Sequence, residues 1–233
     1  MPSLRGFFPL WRAGAGYHWI NFATHAPTLV MPIMVAAQLG AQANAGFYAA
    51  LCLVGVIWII PTHLATAMLT LDHGNAEHFG PGLSTALRLS GVVSILAAAG
   101  TAVLARPVLA IFGSGYEQAR YCLIALGACT FAVAIKYIYI PVRRAQGALG
   151  KAALAITLGT VLELGAAELG LKLGAVTGVG IAYGVATLLE ALCFWPAIRK
   201  ARKSSIRQAT GAEHDLRGQE REIPDIDRSV IER

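Results

Sequence analysis

Residues 46–69 read GFYAALCLVGVIWIIPTHLATAML, a stretch of 24 residues with no Asp, Glu, Lys or Arg. An α-helix of roughly 20 apolar residues spans the hydrocarbon core of a bilayer, which is about 30 Å thick. The stretch therefore predicts a transmembrane helix. It is bounded by the small and polar residues GAQANAG before it and by the polar loop TLDHGNAEHFGPG after it.

Five further stretches have a similar length and composition, and each is bounded by polar residues, glycine or proline. We therefore predict an all-α integral membrane bundle of six transmembrane helices. The predicted spans cover about residues 17–39, 46–69, 83–104, 119–142, 151–171 and 176–198.

The composition excludes a soluble enzyme, a disordered chain and a disulfide-rich scaffold. The 233 residues are 56% hydrophobic and 14% charged, whereas a soluble domain is about 25% charged. The charge is also concentrated, because residues 198–233 hold nine of the 19 Lys and Arg and seven of the 13 Asp and Glu. The formal net charge of +6 is explained by basic residues that flank the spans, so we expect no nucleic-acid partner.

The chain divides into a six-span domain over residues 1–200 and a polar tail over residues 201–233. Lys and Arg are concentrated at the N-terminus, in the second and fourth loops and at the start of the tail, which share one side of a six-span bundle. By the positive-inside rule, this predicts a multi-pass protein of the cytoplasmic (inner) membrane with both termini cytoplasmic. The tail has no apolar periodicity, so we expect it to be disordered, with its first basic residues against anionic headgroups.

The first span carries a polar face, which is costly in lipid. His18, Asn21 and His25 are spaced at i, i+3 and i+7, so they lie on one side of the helix. They could line a cavity that contacts a polar substrate, or they could form hydrogen bonds between helices. A zinc site is not expected, because no third ligand accompanies the two histidines.

Charged residues inside the later spans are the other candidates for function. Lys136 lies deep in the fourth span, where it could attract an anionic head group or pair with an acid in the membrane. Arg143 extends the basic run toward the cytoplasmic edge. Glu163 and Glu190 are the candidate acidic partners.

The sequence shows no catalytic motif, no metal site and no cofactor-binding pattern. The four cysteines lie in apolar stretches without ligand spacing, so they are predicted to act as small apolar side chains and not as metal ligands or a disulfide framework. The one group of acids and histidines at a similar depth is Asp72, His73, Glu77 and His78, in a loop where solvent contact explains them.

Several segments of the sequence resemble the C-terminal half of the polysaccharide-biosynthesis flippases, which belong to the multidrug/oligosaccharidyl-lipid/polysaccharide exporter superfamily. The resemblance covers about residues 15–200 and rests on HAPTLVMPIMVAAQLG, on ANAGFYAALCLVGVIWIIPTHLATAML, on ARPVLAIFGSGYEQA and on IPVRRAQGALGKA. Family members usually have twelve or more spans in two bundles with a central cavity between them. A second six-helix bundle is therefore expected here, as a second copy of the chain or a separate half, since a lone bundle would expose His18, Asn21 and Lys136 to lipid.

The resemblance implies a transporter and not an enzyme, one that flips a lipid-linked oligosaccharide or polysaccharide precursor across the membrane. Lys136, with Arg88 or Arg143, would attract the phosphate of this substrate. The glycan would contact His18, Asn21, His25 and Thr62–His63, and coupling to a proton or sodium would use Glu163 or Glu190. A multidrug exporter of the same superfamily and a non-catalytic membrane subunit of cell-envelope glycan assembly remain alternatives, as does a membrane enzyme that uses the loop at residues 72–78.

Overall fold

A computed structural model describes residues 4–71, 76–113 and 115–222, with side chains over 14–63, 67, 80–113 and 115–205. The described residues are almost entirely helical. The helices are α1 (Leu4–Leu71), α2 (Ala76–Ala110), α3 (Arg120–Ala128), α4 (Thr130–Ala145) and α5 (Leu149–Glu222), and a short 3₁₀ helix, Tyr116–Ala119, precedes α3.

The two longest helices are each divided by a break. In α1 the break is Gly40, whose φ of 85° and ψ of 174° suit glycine alone. In α5 the break is Gly174–Ala175, where Ala175 has a φ of 50°. We call the resulting segments the first arm (residues 4–39) and second arm (41–71) of α1, and the first arm (149–173) and second arm (176–222) of α5.

These breaks account for the number of spans. Three described stretches are long and apolar enough to cross a membrane, namely Gly14–His63, Gly80–Ala110 and Leu149–Ser205. The first and third hold 50 and 57 residues, enough for two crossings each. Residues 116–145 supply a further crossing, bent by 44° between α3 and α4. The described residues thus form the predicted all-α bundle of six membrane-spanning segments in a multi-pass membrane protein.

The fourth span is broken where a continuous helix was predicted. Cys129 joins α3 to α4 with a φ of −85° and a ψ of 4°. The hydroxyl of Thr130 donates to the carbonyl of Gly127 over 2.7 Å, and the indole N–H of Trp58 donates to Thr130 Oγ1 over 3.2 Å. These hydrogen bonds fix the joint against the second arm of α1.

The outer surface is apolar, as the lipid boundary of a membrane bundle requires. Ile33, Val103 and Leu154 are 68%, 75% and 63% exposed in the isolated chain, and each faces outward from a different span. In a bilayer these side chains contact acyl chains. Their exposure is therefore expected of a membrane protein.

Two features extend beyond the predicted boundaries. α2 continues past Arg106–Pro107 to Ala110, so Pro107 lies inside the helix. α5 continues past residue 200 to Glu222, so residues 201–222, expected without regular structure, are helical here. Ala, Arg, Lys, Gln and Glu dominate that segment and favour helix without an apolar face. Residues 72–75 and 223–233 and the side chains of Glu77 and His78 lie outside the described residues.

Candidate substrate cavity and buried charge cluster

A cavity of about 690 Å³ opens between the two arms of α1 and α4, and one side chain of the second arm of α5 lies at its wall. Its lining combines apolar side chains with a set of polar and aromatic ones. The polar and aromatic lining residues are Tyr17, His18, Asn21, Thr24, His25, Thr28, Trp58, Thr62, His63, Lys136, Tyr137, Arg144 and Tyr183.

The polar face of the first arm of α1 lies on this cavity. His18, Asn21 and His25 are all exposed and all line it, as their helical spacing predicts. The imidazole of His25 also contacts the ring of Tyr137 edge-on, with 6.2 Å between ring centroids. His63, exposed on the second arm of α1, adds a third imidazole to the same space.

Lys136 borders the cavity but is buried, with 3% of its surface exposed. Its ammonium lies 2.7 Å from Glu163 Oε2 and 3.2 Å from Glu190 Oε2. Of the two roles predicted for Lys136, the structure therefore shows pairing with acids in the membrane. It also corrects the expectation that Lys136 would face lipid in a lone bundle, because the long stem of the side chain turns inward toward α5.

The two carboxylates are held differently. Glu163, on the first arm of α5, accepts hydrogen bonds from Lys136 and from the hydroxyl of Thr187, the latter over 3.0 Å. Glu190, on the second arm, lies close enough to Lys136 for an ion pair, but neither of its oxygens has a hydrogen-bond partner among the described residues. The Glu190 carboxyl instead lies directly over Gly159, at the position that a β-carbon would occupy.

Arg143, predicted as a cavity residue, does not line the cavity. It is half-buried, its guanidinium lies 5.2 Å from the ring centroid of Tyr139, and it donates to Gln146. The cavity contains its neighbour Arg144 instead, whose guanidinium lies 4.7 Å from the ring centroid of Tyr17.

Sequence reasoning missed Arg144 together with the aromatic residues Tyr17, Trp58 and Tyr183. A signal for Arg144 was present, since Val133, Tyr137, Ile140 and Arg144 all line the cavity and repeat at intervals of four, three and four residues. That spacing defines one face of α4 and excludes Arg143, which is rotated about 100° away.

The charged side chains in the described lining are both basic, Lys136 and Arg144, and three histidines accompany them. Glu163 and Glu190 lie behind Lys136 and not on the lining. The two basic side chains therefore differ: Lys136 is balanced by acids, whereas Arg144 forms no ion pair within the described residues. No group of three or more His, Cys, Asp or Glu that could hold a metal ion occurs in the described residues.

These features define a multi-pass helical membrane protein with a polar cavity on one side of a six-span bundle. The sequence matches no protein-family model and no curated protein. Its fold is similar to that of the MATE transporter VcmN of Vibrio cholerae in the bent form, with a TM-score of 0.60 and 19% sequence identity. The match covers 79% of this chain and 46% of VcmN, so the chain spans about half of that transporter.

Proposed function

We propose that the chain is one half of a membrane exporter for an amphiphile with an anionic head group, in particular a lipid-linked oligosaccharide or polysaccharide precursor. The observation that carries this proposal is the charge of the cavity, whose described lining holds two basic side chains, three histidines and no carboxylate. A phosphate-bearing head group is stabilised in such a space, whereas a cation is repelled.

Arg144 is the principal contact to the anion in this proposal. A guanidinium binds phosphate oxygens in a bidentate manner, and Tyr17 holds that of Arg144 from one side. Lys136 has a smaller share in attracting the head group, because two carboxylates already balance its charge. His18, Asn21, His25 and His63 supply hydrogen-bonding groups for sugar hydroxyls.

Transport requires a second six-helix bundle that completes the cavity. His18, Asn21 and His25 are exposed on one face of this bundle, and lipid cannot satisfy their polar groups. The similarity of this chain to about half of a larger transporter supports the same arrangement. The two bundles would rock against each other to expose the cavity alternately on either side of the cytoplasmic membrane, with both termini cytoplasmic and no covalent bond broken.

A multidrug exporter is the second candidate. Tyr17, Trp58, Tyr137 and Tyr183 give the cavity aromatic faces, which bind organic cations. The Lys136–Glu163–Glu190 cluster also carries more acid than base. Both observations would favour a cationic, apolar substrate if the acids came to face the cavity during the transport cycle.

The two candidates are separated by reconstituting the full chain in liposomes and measuring two substrates. One is a polyprenyl diphosphate carrying a fluorescent disaccharide, whose flipping protects the label from a membrane-impermeant quencher, and the other is ethidium. We expect flipping of the anionic lipid to fall about tenfold or more in Arg144→Gln, since a charged hydrogen bond contributes about 1.5–3 kcal/mol.

Arg106→Gln is the matched control, because Arg106 is an exposed arginine that pairs with Glu117 outside the cavity. It should flip the lipid at the wild-type rate. Ethidium transport without lipid flipping would establish the multidrug alternative. Transport of neither substrate above protein-free liposomes would overturn an exporter formed by two copies of this chain.

A further inference from the structure

The Lys136–Glu163–Glu190 cluster joins three membrane-spanning segments through ionisable groups that have almost no contact with solvent. Lys136 comes from α4, Glu163 from the first arm of α5 and Glu190 from its second arm, and they are 3%, 0% and 4% exposed. With every group ionised, the cluster would carry one net negative charge. Burying an uncompensated charge in a low-dielectric interior is costly, so one further positive charge is required.

The hydrogen bonds show which carboxyl carries the uncompensated charge. Glu163 Oε2 accepts a hydrogen bond from the Lys136 ammonium, and Glu163 Oε1 lies 3.0 Å from the Thr187 hydroxyl, which is shared with the carbonyl of Tyr183 at 2.9 Å. Neither oxygen of Glu190 has a hydrogen-bond partner in the described structure. Hydrogen-bond donors of this kind stabilise an ionised carboxylate. Glu163 is therefore the carboxylate of the ion pair, and Glu190 is the carboxyl that stays neutral.

The other titratable groups that face the cluster do not supply the missing charge. Tyr137 of α4, Tyr183 of the second arm of α5 and Cys129 of the α3–α4 joint interact electrostatically with Glu163, and none becomes a cation. His25 of α1 faces Lys136 across the cavity. Within the described residues, Lys136 is therefore the one cation in contact with both carboxylates.

The packing around Glu190 also suits a neutral carboxyl. Its oxygens lie against the backbone of Gly159, where any other residue would place a β-carbon. Close contact with helix backbone and apolar surface is tolerated by an acid and disfavoured for a carboxylate. Glycine at position 159 thus makes the space in which the Glu190 side chain fits.

The geometry points to a proton-binding site: Lys136 and Glu163 form the ion pair, and Glu190 holds one proton that exchanges with water of the adjoining cavity. Binding transfers a proton from water to one Glu190 oxygen and breaks no other bond. Because Lys136 also borders the cavity, an anion that draws Lys136 away leaves Glu163 uncompensated and promotes uptake of a second proton. This last consequence rests on the proposed function, whereas the proton on Glu190 does not.

Infrared spectroscopy of the full chain in lipid nanodiscs at neutral pH tests the site without any substrate. The carbonyl band of a protonated carboxylic acid is measured relative to the amide band, and ¹³C-glutamate labelling assigns it to glutamate. We expect one such band in the wild type and its loss in Glu190→Gln. Lys136→Met should double the band, since both buried acids then take a proton.

Glu163→Gln should also abolish the band, because Lys136 then pairs with an ionised Glu190. Glu168→Gln is the control that should leave it unchanged, since Glu168 pairs with Lys172 at the protein surface. Absence of the band in the wild type, or a band that survives Glu190→Gln in correctly folded protein, would overturn the assignment. If Lys136→Met does not fold, the nearly isosteric Glu190→Gln decides alone. Loss of lipid flipping would leave this result unaffected, so failure of the two proposals can be told apart.

Discussion

The charge cluster at Lys136 and a seam of small residues elsewhere in the bundle are both buried between helices, yet they are built differently. In the seam, Gly127 lies against Thr101, Gly180 lies against Cys122, and Gly170 and Gly178 bring the backbones of the two arms of α5 into contact. There is no room for a methyl group at these glycines. Around Lys136, by contrast, the helices leave an adjoining cavity of about 690 Å³ and enclose three ionisable side chains.

The difference indicates that the seam stabilises the bundle, whereas the charge cluster and its cavity serve its function. Helices in lipid gain no hydrophobic free energy by associating, so close backbone packing of the kind seen in the seam stabilises the fold. Buried charges do not replace that packing, because their desolvation offsets much of their attraction. A cluster of such charges beside a cavity is therefore better explained by function than by stability.

The largest expected effect comes from removing the cation of the cluster. Lys136→Met leaves Glu163 and Glu190 without their cation and should cost about 3–5 kcal/mol of unfolding free energy at neutral pH. The loss should shrink at acid pH, because the folded variant binds more protons than its unfolded state and so loses stability as pH rises. Denaturation in mixed micelles measures it. Lys172→Met, an exposed lysine paired with Glu168, is the control and should change little.

The next largest effect should come from the seam. Gly178→Ala places a methyl group against the backbone of Gly170 and should cost about 1–3 kcal/mol. Gly165→Ala is the matched control on the same helix, since nothing lies within 4 Å of the added carbon, and it should be neutral or slightly stabilising. Equal stability of the two variants would mean that the close approach of the two arms does not hold the fold.

The membrane spans could be predicted because their signal is local. The apolar run at residues 46–69 and the glycine at position 40 act through their own backbone, and the structure confirms the six segments. The bend at Cys129 was missed because no proline or positive-φ glycine marks it, and it depends on Thr130 and Trp58, which are 72 residues apart.

The site was predicted less completely than the spans for the same reason. The sequence predicted that Lys136 could pair with an acid in the membrane. Which acids it contacts depends on how α4 and the two arms of α5 pack, and local sequence patterns do not determine that packing. The basic run at Arg143 and Arg144 does not itself indicate which arginine faces the cavity, because that depends on the rotation of α4. The polar residues of the first arm of α1 line the cavity together, and their spacing alone places them on one face of the helix whatever surrounds them.

A smaller effect is expected from the hydrogen bond that orients Glu163. Thr187→Val removes the hydroxyl that lies between Glu163 Oε1 and the carbonyl of Tyr183 while it preserves the shape of the side chain, so it should cost about 1 kcal/mol. Thr85→Val is the control and should cost less in the same assay, because among the described residues the exposed Thr85 hydroxyl bonds only to the carbonyl of Pro81 in its own helix. If both variants have the same stability, Thr187 does not distinguish Glu163 from Glu190.

The smallest effect tests whether a charge pair at the protein surface stabilises the fold as much as a buried one. Arg106 and Glu117 form a 3.0 Å pair, but the arginine side chain is 69% exposed, so Arg106→Gln should change the unfolding free energy by about 0.5 kcal/mol or less. Thermal unfolding in detergent at two salt concentrations would measure it. A loss as large as that of Lys136→Met would show that burial is not what makes the inner cluster costly to break. A negligible loss leaves burial as the property that distinguishes the two charge pairs.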